Sequence, residues 1–556
     1  MALLAWPSPG GRDSVARGRY APLMPTASEL LVIGLIHTLD PSRPVVQAVL
    51  ARDGKIACAG TVEACAAKAG PGVRRLKVGS VVPGLVDAHG HVFGLAQARA
   101  SVACNGAASE EACAARAAER ARAVPPGTWV TGRGWDQNLW PGGRFPTSAS
   151  LSKAIPDRPV YLRRIDGHAA WANAAALAAA GVGKGTPDPE GGKLLRDGEG
   201  NPTGVLVDEA MRLVETKIPA PTPAELEAGL LAGLKELASV GLTGAHDAGV
   251  NPAALDAYRK LAREGRLPLR VYAMIDGEVP LPELERELAR QKAEGAEVGR
   301  LTVRAVKLYA DGALGSRGAA LHAPYSDDPG NRGLLTTPPE VLRAKVKAVV
   351  AAGFQPAIHA IGDRGVSEAL AAITGAGTAP AVKALRPRIE HLQIVGAGDW
   401  PGLAAAGVIA SMQPTHCTSD APWVPARLGA GSARLAGAYA WRTALSRGLP
   451  LAFGSDFPIE EPDPRGGLVA AETRTAAGAK EPFLPAERLG REEAVRAFTA
   501  GAAFAAFAEG QRGMIREGLD ADLTAFEGDV FSIPVGTLSS LPVAATVVGG
   551  EVVFTR

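Results

Sequence analysis

An apolar run, Val81-Val82-Pro83-Gly84-Leu85-Val86-Asp87-Ala88-His89-Gly90-His91, closes on two histidines spaced i, i+2. On a β-strand that spacing puts both imidazoles on one face. Two neutral imidazoles on one face can hold a transition metal. A bare His-x-His also occurs as core or surface histidines beside a turn, so the motif alone decides nothing. What decides is whether other stretches supply the remaining ligands.

The elements that would position those ligands form a repeat. Short apolar strands are expected at 81–86, 242–246, 269–275, 303–309, 355–359, 388–391, 408–412 and 449–453, with amphipathic helical runs such as 338–352 and 366–373 between them. Eight alternations of β and α predict an α/β fold, a distorted (β/α)₈ barrel. A doubly wound open sheet is the alternative, but no Gly-x-Gly-x-x-Gly follows an early strand. In such a barrel the chemistry sits at the carboxyl ends of the strands. The polar residues found there are His89 and His91, His246 and Asp247, Lys307, His359, Glu390 and His391, Gln413 and His416, and Asp456. Of nine histidines, all but His37 and His322 fall at these ends or in a long insert, which random placement would not favour. His89, His91, His359, His391 and Asp456 make a nitrogen and oxygen set suited to zinc or a similar divalent ion. Lys307 is costly in an apolar strand when charged and unpaired.

Both chain ends read as β-rich. Residues 27–82 carry short apolar strands and an Asp53-Gly54 hairpin signal. Residues 508–556 supply a matching set, so a small β-sandwich built from both termini is expected beside a barrel over 83–507. Residues 1–26, rich in Pro, Gly and Arg, read as a disordered leader within which Met24 is a second candidate start. They lack a signal peptide's apolar core. Barrel strands one and two are about 150 residues apart, and loops that long carry function or their own structure. This insert, at about 97–235, holds Trp135, Asp136, Trp140, Asp166 and His168 among glycines, which suits a lid or pocket wall as well as a surface excursion. A net charge of +2 with no basic stripe argues against nucleic acid. No apolar run reaches the ~18 residues of a membrane span. Five scattered cysteines without C-x-x-C argue against a disulfide scaffold and fit a reducing cytoplasm.

The chain resembles the amidohydrolase superfamily, specifically the amidohydrolase-3 branch that includes N-substituted formamide deformylases. The resemblance rests on Pro83 to His91 together with Gly134-Trp135-Asp136-Gln137, Asp166-Gly167-His168, Val306-Lys307-Leu308-Tyr309-Ala310-Asp311-Gly312, Ile358-His359-Ala360-Ile361-Gly362-Asp363, Arg388-Ile389-Glu390-His391, Met412-Gln413-Pro414-Thr415-His416 and Gly454-Ser455-Asp456-Phe457-Pro458. These run in the family's order over nearly the whole chain after the leader. The resemblance implies a metal-dependent hydrolase with one or two divalent ions, zinc first among them. His89, His91 and Asp456 would hold the first ion, His359 and His391 the second, and a carbamate formed on Lys307 would bridge them. Cys417, beside His416, departs from the branch; as a lone cysteine it reads as an inert small residue.

The expected reaction is hydrolysis of a non-peptide C–N bond by metal-activated hydroxide, with Asp456 accepting the nucleophile's proton and passing it to the leaving nitrogen. His416 and His168 would donate to the oxyanion or hold the substrate. Trp135, Asp136, Asp166 and Gln413 are expected to contact a small-molecule substrate, and His246 to play a supporting part. An esterase, lactonase or phosphoesterase on the same ligands is the alternative, since fold does not fix substrate. A non-catalytic binding protein would be marked by missing ligands, and none is missing. A homodimer is the default assembly.

Overall fold

The computed structural model describes residues 29–165 and 167–556. The expected leader and Asp166 therefore lie outside the described residues. Those described divide into two compact units, one spanning Leu95–Thr222 and the other formed by 29–94 with Pro223–Arg556.

The chain starts in a sheet of its own. Strands β1 (Leu30–His37), β2 (Val45–Arg52), β3 (Lys55–Gly60) and β4 (Arg74–Pro83) come first. Asp53 and Gly54 join β2 to β3 with φ of 51° and 79°. Both lie in the left-handed region that a tight hairpin turn needs. β5 (Leu85–Gly90) follows β4 at once but belongs to the barrel. The expected first barrel strand at 81–86 is thus corrected. Val81, Val82 and Pro83 pair with the chain's end, and the barrel strand begins only after Gly84.

The unit Leu95–Thr222 carries β6 (Val102–Ala103), β7 (Val130–Trp135), β8 (Val160–Arg164), β9 (Ala169–Ala172), β10 (Gly192–Arg196) and β11 (Pro202–Asp208). They form one sheet in the order β10-β11-β9-β8-β7-β6. Its core gathers Trp135, Trp140, Trp171, Leu151 and Val160. The insert thus carries its own structure, one of the two readings its length allowed.

The barrel resumes with β12 (Leu242–Val250) and β13 (Arg270–Asp276). The short β14 (Glu297–Val298) precedes β15 (Leu301–Tyr309), β16 (Gln355–Ala360), β17 (Arg388–His391), β18 (Ile409–Met412) and β19 (Leu451–Phe453). The eight parallel strands run β19-β18-β17-β16-β15-β13-β12-β5, a nearly closed barrel. The remaining gap is bridged by the pair Gly90 and Phe457. His91 N–H donates to Phe457 O (2.8 Å), and Asp456 N–H donates to His89 O (2.7 Å). Gly90 is required there, because a Cβ on it would come within 2.2 Å of the Phe457 ring. Helices return the chain between strands. Pro252–Arg263 is capped by the Asn251 side chain, and Pro339–Ala352 ends on Gly353 at φ 84°.

The last strands, β20 (Leu523–Phe526), β21 (Val543–Val548) and β22 (Glu551–Thr555), rejoin the first sheet, giving the order β22-β21-β20-β4-β1-β2-β3. Leu30 and Val32 share a core with Leu523, Ala525 and Val547, so both chain ends build one apolar layer. That sheet is fastened to the barrel. Arg270 donates to Asp522 through Nε (2.5 Å) and Nη2 (3.0 Å), and Thr524 Oγ1 donates to Gly241 O (2.7 Å).

Four cysteines pair, Cys58 with Cys65 and Cys104 with Cys113. This corrects the expectation of unpaired thiols and removes its support for a reducing compartment, since disulfides persist mainly where conditions are oxidising. Cys417 stays free and buried. Burial pushes its thiol up to about 12, which agrees with an inert residue. Among the described residues no helix is long and apolar enough to cross a membrane.

Candidate metal centre

β5 delivers His89 and His91 to the barrel mouth, and their ring hydrogen bonds decide which nitrogen faces inward. His89 Nδ1–H donates to Glu390 Oε2 (2.5 Å), and His91 Nδ1–H donates to Ala248 O (2.8 Å). His391 Nδ1–H donates to Gln413 Oε1 (2.9 Å). Carboxylate and carbonyl oxygens only accept, so in each neutral ring Nε2 is left with a bare lone pair. Those atoms converge. Asp456 Oδ1 lies 3.1 Å from His91 Nε2 and 3.6 Å from His89 Nε2. Lys307 Nζ stands 3.2 Å from His89 Nε2. The His359 ring is 4.6 Å from that of His391, and the His391 ring 4.8 Å from that of His89.

Three buried atoms here have no hydrogen-bond partner: His359 Nε2, His416 Nε2 and Asp456 Oδ1. Buried polar atoms are rarely left so, and an ion they would share is one explanation. Two trios bring ligand atoms within 4.8 Å of one another: His89, His91 and Asp456, and His391, His416 and Asp456. The donors are imidazole nitrogens and carboxylate oxygen, which suits a borderline divalent ion. The residues present therefore fit the metal the sequence implies.

The electrostatics agree. Burial, with the Lys307 charge nearby, lowers His89 to about 4 and His359 to about 3, so both imidazoles are neutral at pH 7 and able to ligate. Burial pulls Lys307 down to about 8. Burial alone would raise Asp456. The His91 ring beside it and the other neighbouring imidazoles outweigh burial and hold the carboxyl well below its usual range.

The backbone is bent to serve the site. His391 and Asp456, both non-glycine, adopt φ of 73° and 60°. Each such residue costs on the order of 1–3 kcal/mol and persists where surrounding structure over-determines it. For Asp456 that structure is Asp87. Its carboxylate accepts from His89 N (3.0 Å), Ser455 N (3.0 Å) and Ser455 Oγ (2.7 Å), tying the first strand to the loop after the last.

Glu390 is the supporting residue that sequence reading quoted but assigned no role. It is fully buried between His89 and Arg388, whose Nε donates to its Oε1 (2.7 Å). Arg388 also donates to His246 Nδ1 (2.9 Å), Ala88 O (2.7 Å) and Ser411 Oγ (2.9 Å). The legible signal was Arg388-x-Glu390, two opposite charges on one face of a short strand. Asp87 carried the same signal, at i, i+2 and i, i+4 from the two histidines. Glu390→Gln is expected to weaken metal binding about 10–100-fold, because the His89 ring loses its anionic partner. Chelator competition at constant fold reads this; an unchanged affinity would remove Glu390 from the centre.

Other expected site residues take different places. Gln413 was expected to contact substrate; its amide oxygen is committed to His391. Trp135 was expected to do the same. It is fully buried, donates Nε1–H to Leu162 O (2.7 Å), and packs 6.1 Å from Trp140 and 6.4 Å from Trp171. It is core of its own unit and no pocket wall. Asp136 caps the turn Gln137–Leu139 and accepts from Arg164 Nη2 (3.0 Å). His168 is exposed, with Nδ1 2.9 Å from Asp208 Oδ1. His246 is buried beneath the centre against Arg388, a supporting place.

The amidohydrolase family model matches residues 76–554. The Bacillus subtilis (strain 168) protein YtcJ is 33% identical over 533 residues, covering 94% of this chain and 98% of its own. The N-substituted formamide deformylase of Arthrobacter pascens is 28% identical over 544 residues, 95% of this chain and 98% of its own. Among solved structures, an uncharacterized metal-dependent hydrolase from Pyrococcus horikoshii OT3 superposes with a TM-score of 0.77 at 27% identity, covering 92% of this chain and 99% of that one.

Proposed function

This chain belongs to the amidohydrolase family of metal-dependent hydrolases, and we propose that the bond it hydrolyses is a non-peptide C–N bond of the amide type. The observation that carries the reading is the unpartnered Asp456 carboxylate oxygen amid inward-facing imidazole nitrogens. An amide nitrogen leaves poorly unless it is protonated. Asp456 would accept a proton from the attacking water and return it to that nitrogen. The likeness to a relative named as a formamide deformylase supports the same bond class.

His89, His91 and Asp456 would hold a first zinc ion, and His359 and His391 a second, with Lys307 bridging them as its carbamate. A bound divalent ion would supply Lewis acidity, lowering the pKa of water from about 16 towards about 7 and polarising the carbonyl. Glu390 and Gln413 fix the rings so that their free nitrogens stay inward. Arg388 neutralises Glu390 in a site with no solvent to do so. Removing one partner of such a buried pair costs about 3–5 kcal/mol.

The test strips metal with a chelator and restores it with Zn²⁺ or Mn²⁺, while amides and esters of one aromatic scaffold are compared. Expected is activity that disappears and returns with the ion and that favours the amide. Activity in metal-free protein would sink the hydrolase mechanism. A preference for esters, lactones or phosphoesters would keep the centre and overturn the bond assignment.

A further inference from the structure

His416 lies in the helix Pro414–Asp420, just beyond β18. Three residues that the proposed reaction does not use stand behind it. His416 Nδ1 is 3.3 Å from the Gln393 side-chain amide. The other end of that amide is 3.3 Å from Tyr439 Oη, which is 2.5 Å from Asp420 Oδ2.

The direction of this chain of bonds follows from counting protons. A phenol has one proton, and a carboxylate offers only lone pairs, so the proton goes to Asp420. Tyr439 Oη then presents a lone pair to Gln393, which must answer with its NH₂. The amide stands with its oxygen towards Tyr439, an oxygen-to-oxygen contact. A half-turn about its last bond exchanges the two ends without changing its shape. Only the turned amide satisfies Tyr439. Its oxygen then faces His416 and accepts from Nδ1–H, and the neutral ring carries no proton on Nε2.

That bare Nε2 is buried, has no partner and lies 3.7 Å from Asp456 Oδ2. The ring stacks 6.0 Å from that of His391. Two donors about 2.1 Å from one ion are about 3.4 Å apart at the tetrahedral angle. The observed separation is within a few tenths of an ångström of that.

We propose that His416 is a metal ligand, completing with His391 and Asp456 a three-donor cation site on the β18 side of the barrel mouth. The inference rests on the reading that this mouth holds divalent ions. It replaces the expected role of His416 as an N–H donor to the oxyanion, which needs the opposite tautomer, and it gives His391 to this ion in place of one shared with His359.

The test uses full-length protein loaded with Zn²⁺, as wild type and as His416→Gln. Metal per chain is read by elemental analysis and affinity by chelator competition. His416→Gln is expected to bind one ion at least about 100-fold more weakly and to keep the ion held by His89, His91 and Asp456. Equal stoichiometry and affinity in the two proteins would overturn the proposal. Tyr439→Phe frees the amide to turn back and should weaken the same ion about 10-fold. A wild type that holds no ion overturns the metal reading of the whole mouth, a result distinct from the first. If His416→Gln does not fold, an anomalous difference map of wild-type crystals at the zinc edge replaces it. A peak about 2.1 Å from His416 Nε2 is expected; peaks that all lie beyond ligand distance of that atom overturn the proposal.

Discussion

Asp456→Asn will lower kcat/KM by on the order of 10⁴-fold, about 5 kcal/mol of transition-state stabilisation, without unfolding the protein. Two losses combine. The amide cannot carry the proton from water to the leaving nitrogen, a transfer worth on the order of 10²–10⁴. It is also a poorer ligand than the carboxylate shared by both trios. The fold should survive because Asn has nearly the same shape and tolerates the left-handed backbone at φ 60°. The hydrogen bond from Asp456 N to His89 O involves only backbone and stays. Steady-state kinetics on the preferred amide, with circular dichroism and metal content on the same sample, provide the check. A loss below tenfold in folded protein would mean that another group moves the proton.

Lys307→Ala should also be damaging, for a different reason. Lys307 is 1% exposed, and with its pKa pulled to about 8 roughly a tenth of it is neutral amine at pH 7. A neutral amine can add to carbon dioxide with loss of one proton, giving an anionic carbamate where the buried cation was costly. If that carbamate bridges the ions, Lys307→Ala loses activity by about three orders of magnitude, and acetate or propionate restores part of it by entering the space left. Wild type grown with ¹³C-bicarbonate should show a carbamate carbon resonance that the variant lacks. Inactivity with no rescue and no such resonance in the wild type would make Lys307 a plain structural cation.

Much of this centre could be read from the sequence because barrel geometry turns a one-dimensional rule into a three-dimensional one. Polar residues that end apolar strands meet at one mouth, and His89, His91, Lys307, His359, His391 and Asp456 do so. The rule says nothing about which way each of those side chains is committed. Gln413 and Trp135 have the right chemistry for substrate, but their hydrogen bonds run to His391 and Leu162. Glu390 was passed over for the converse reason. Its meaning comes from His89, 301 residues away, and no local pattern carries that. The first strand was misplaced because 81–86 is apolar throughout, and hydrophobicity does not register a change of sheet at Gly84. The disulfides escaped notice because spacings of 7 and 9 match no familiar framework, and pairing depends on Cα atoms coming within about 6 Å of each other.

The sheet stitched from both chain ends also sets a timetable. β4 pairs with β20 through Pro83 and Leu523, so a strand made early waits for one made last. At about 5–20 residues per second, the intervening stretch takes roughly 20–90 s to leave the ribosome. Through that interval Val81 and Val82 offer an unpaired apolar edge in the nascent chain, the kind of surface that chaperones hold and neighbouring chains seize. Loss of residues 523–556 would therefore prolong that exposure indefinitely. Its first symptom would be poor yield of soluble protein, with every residue of the candidate centre still encoded.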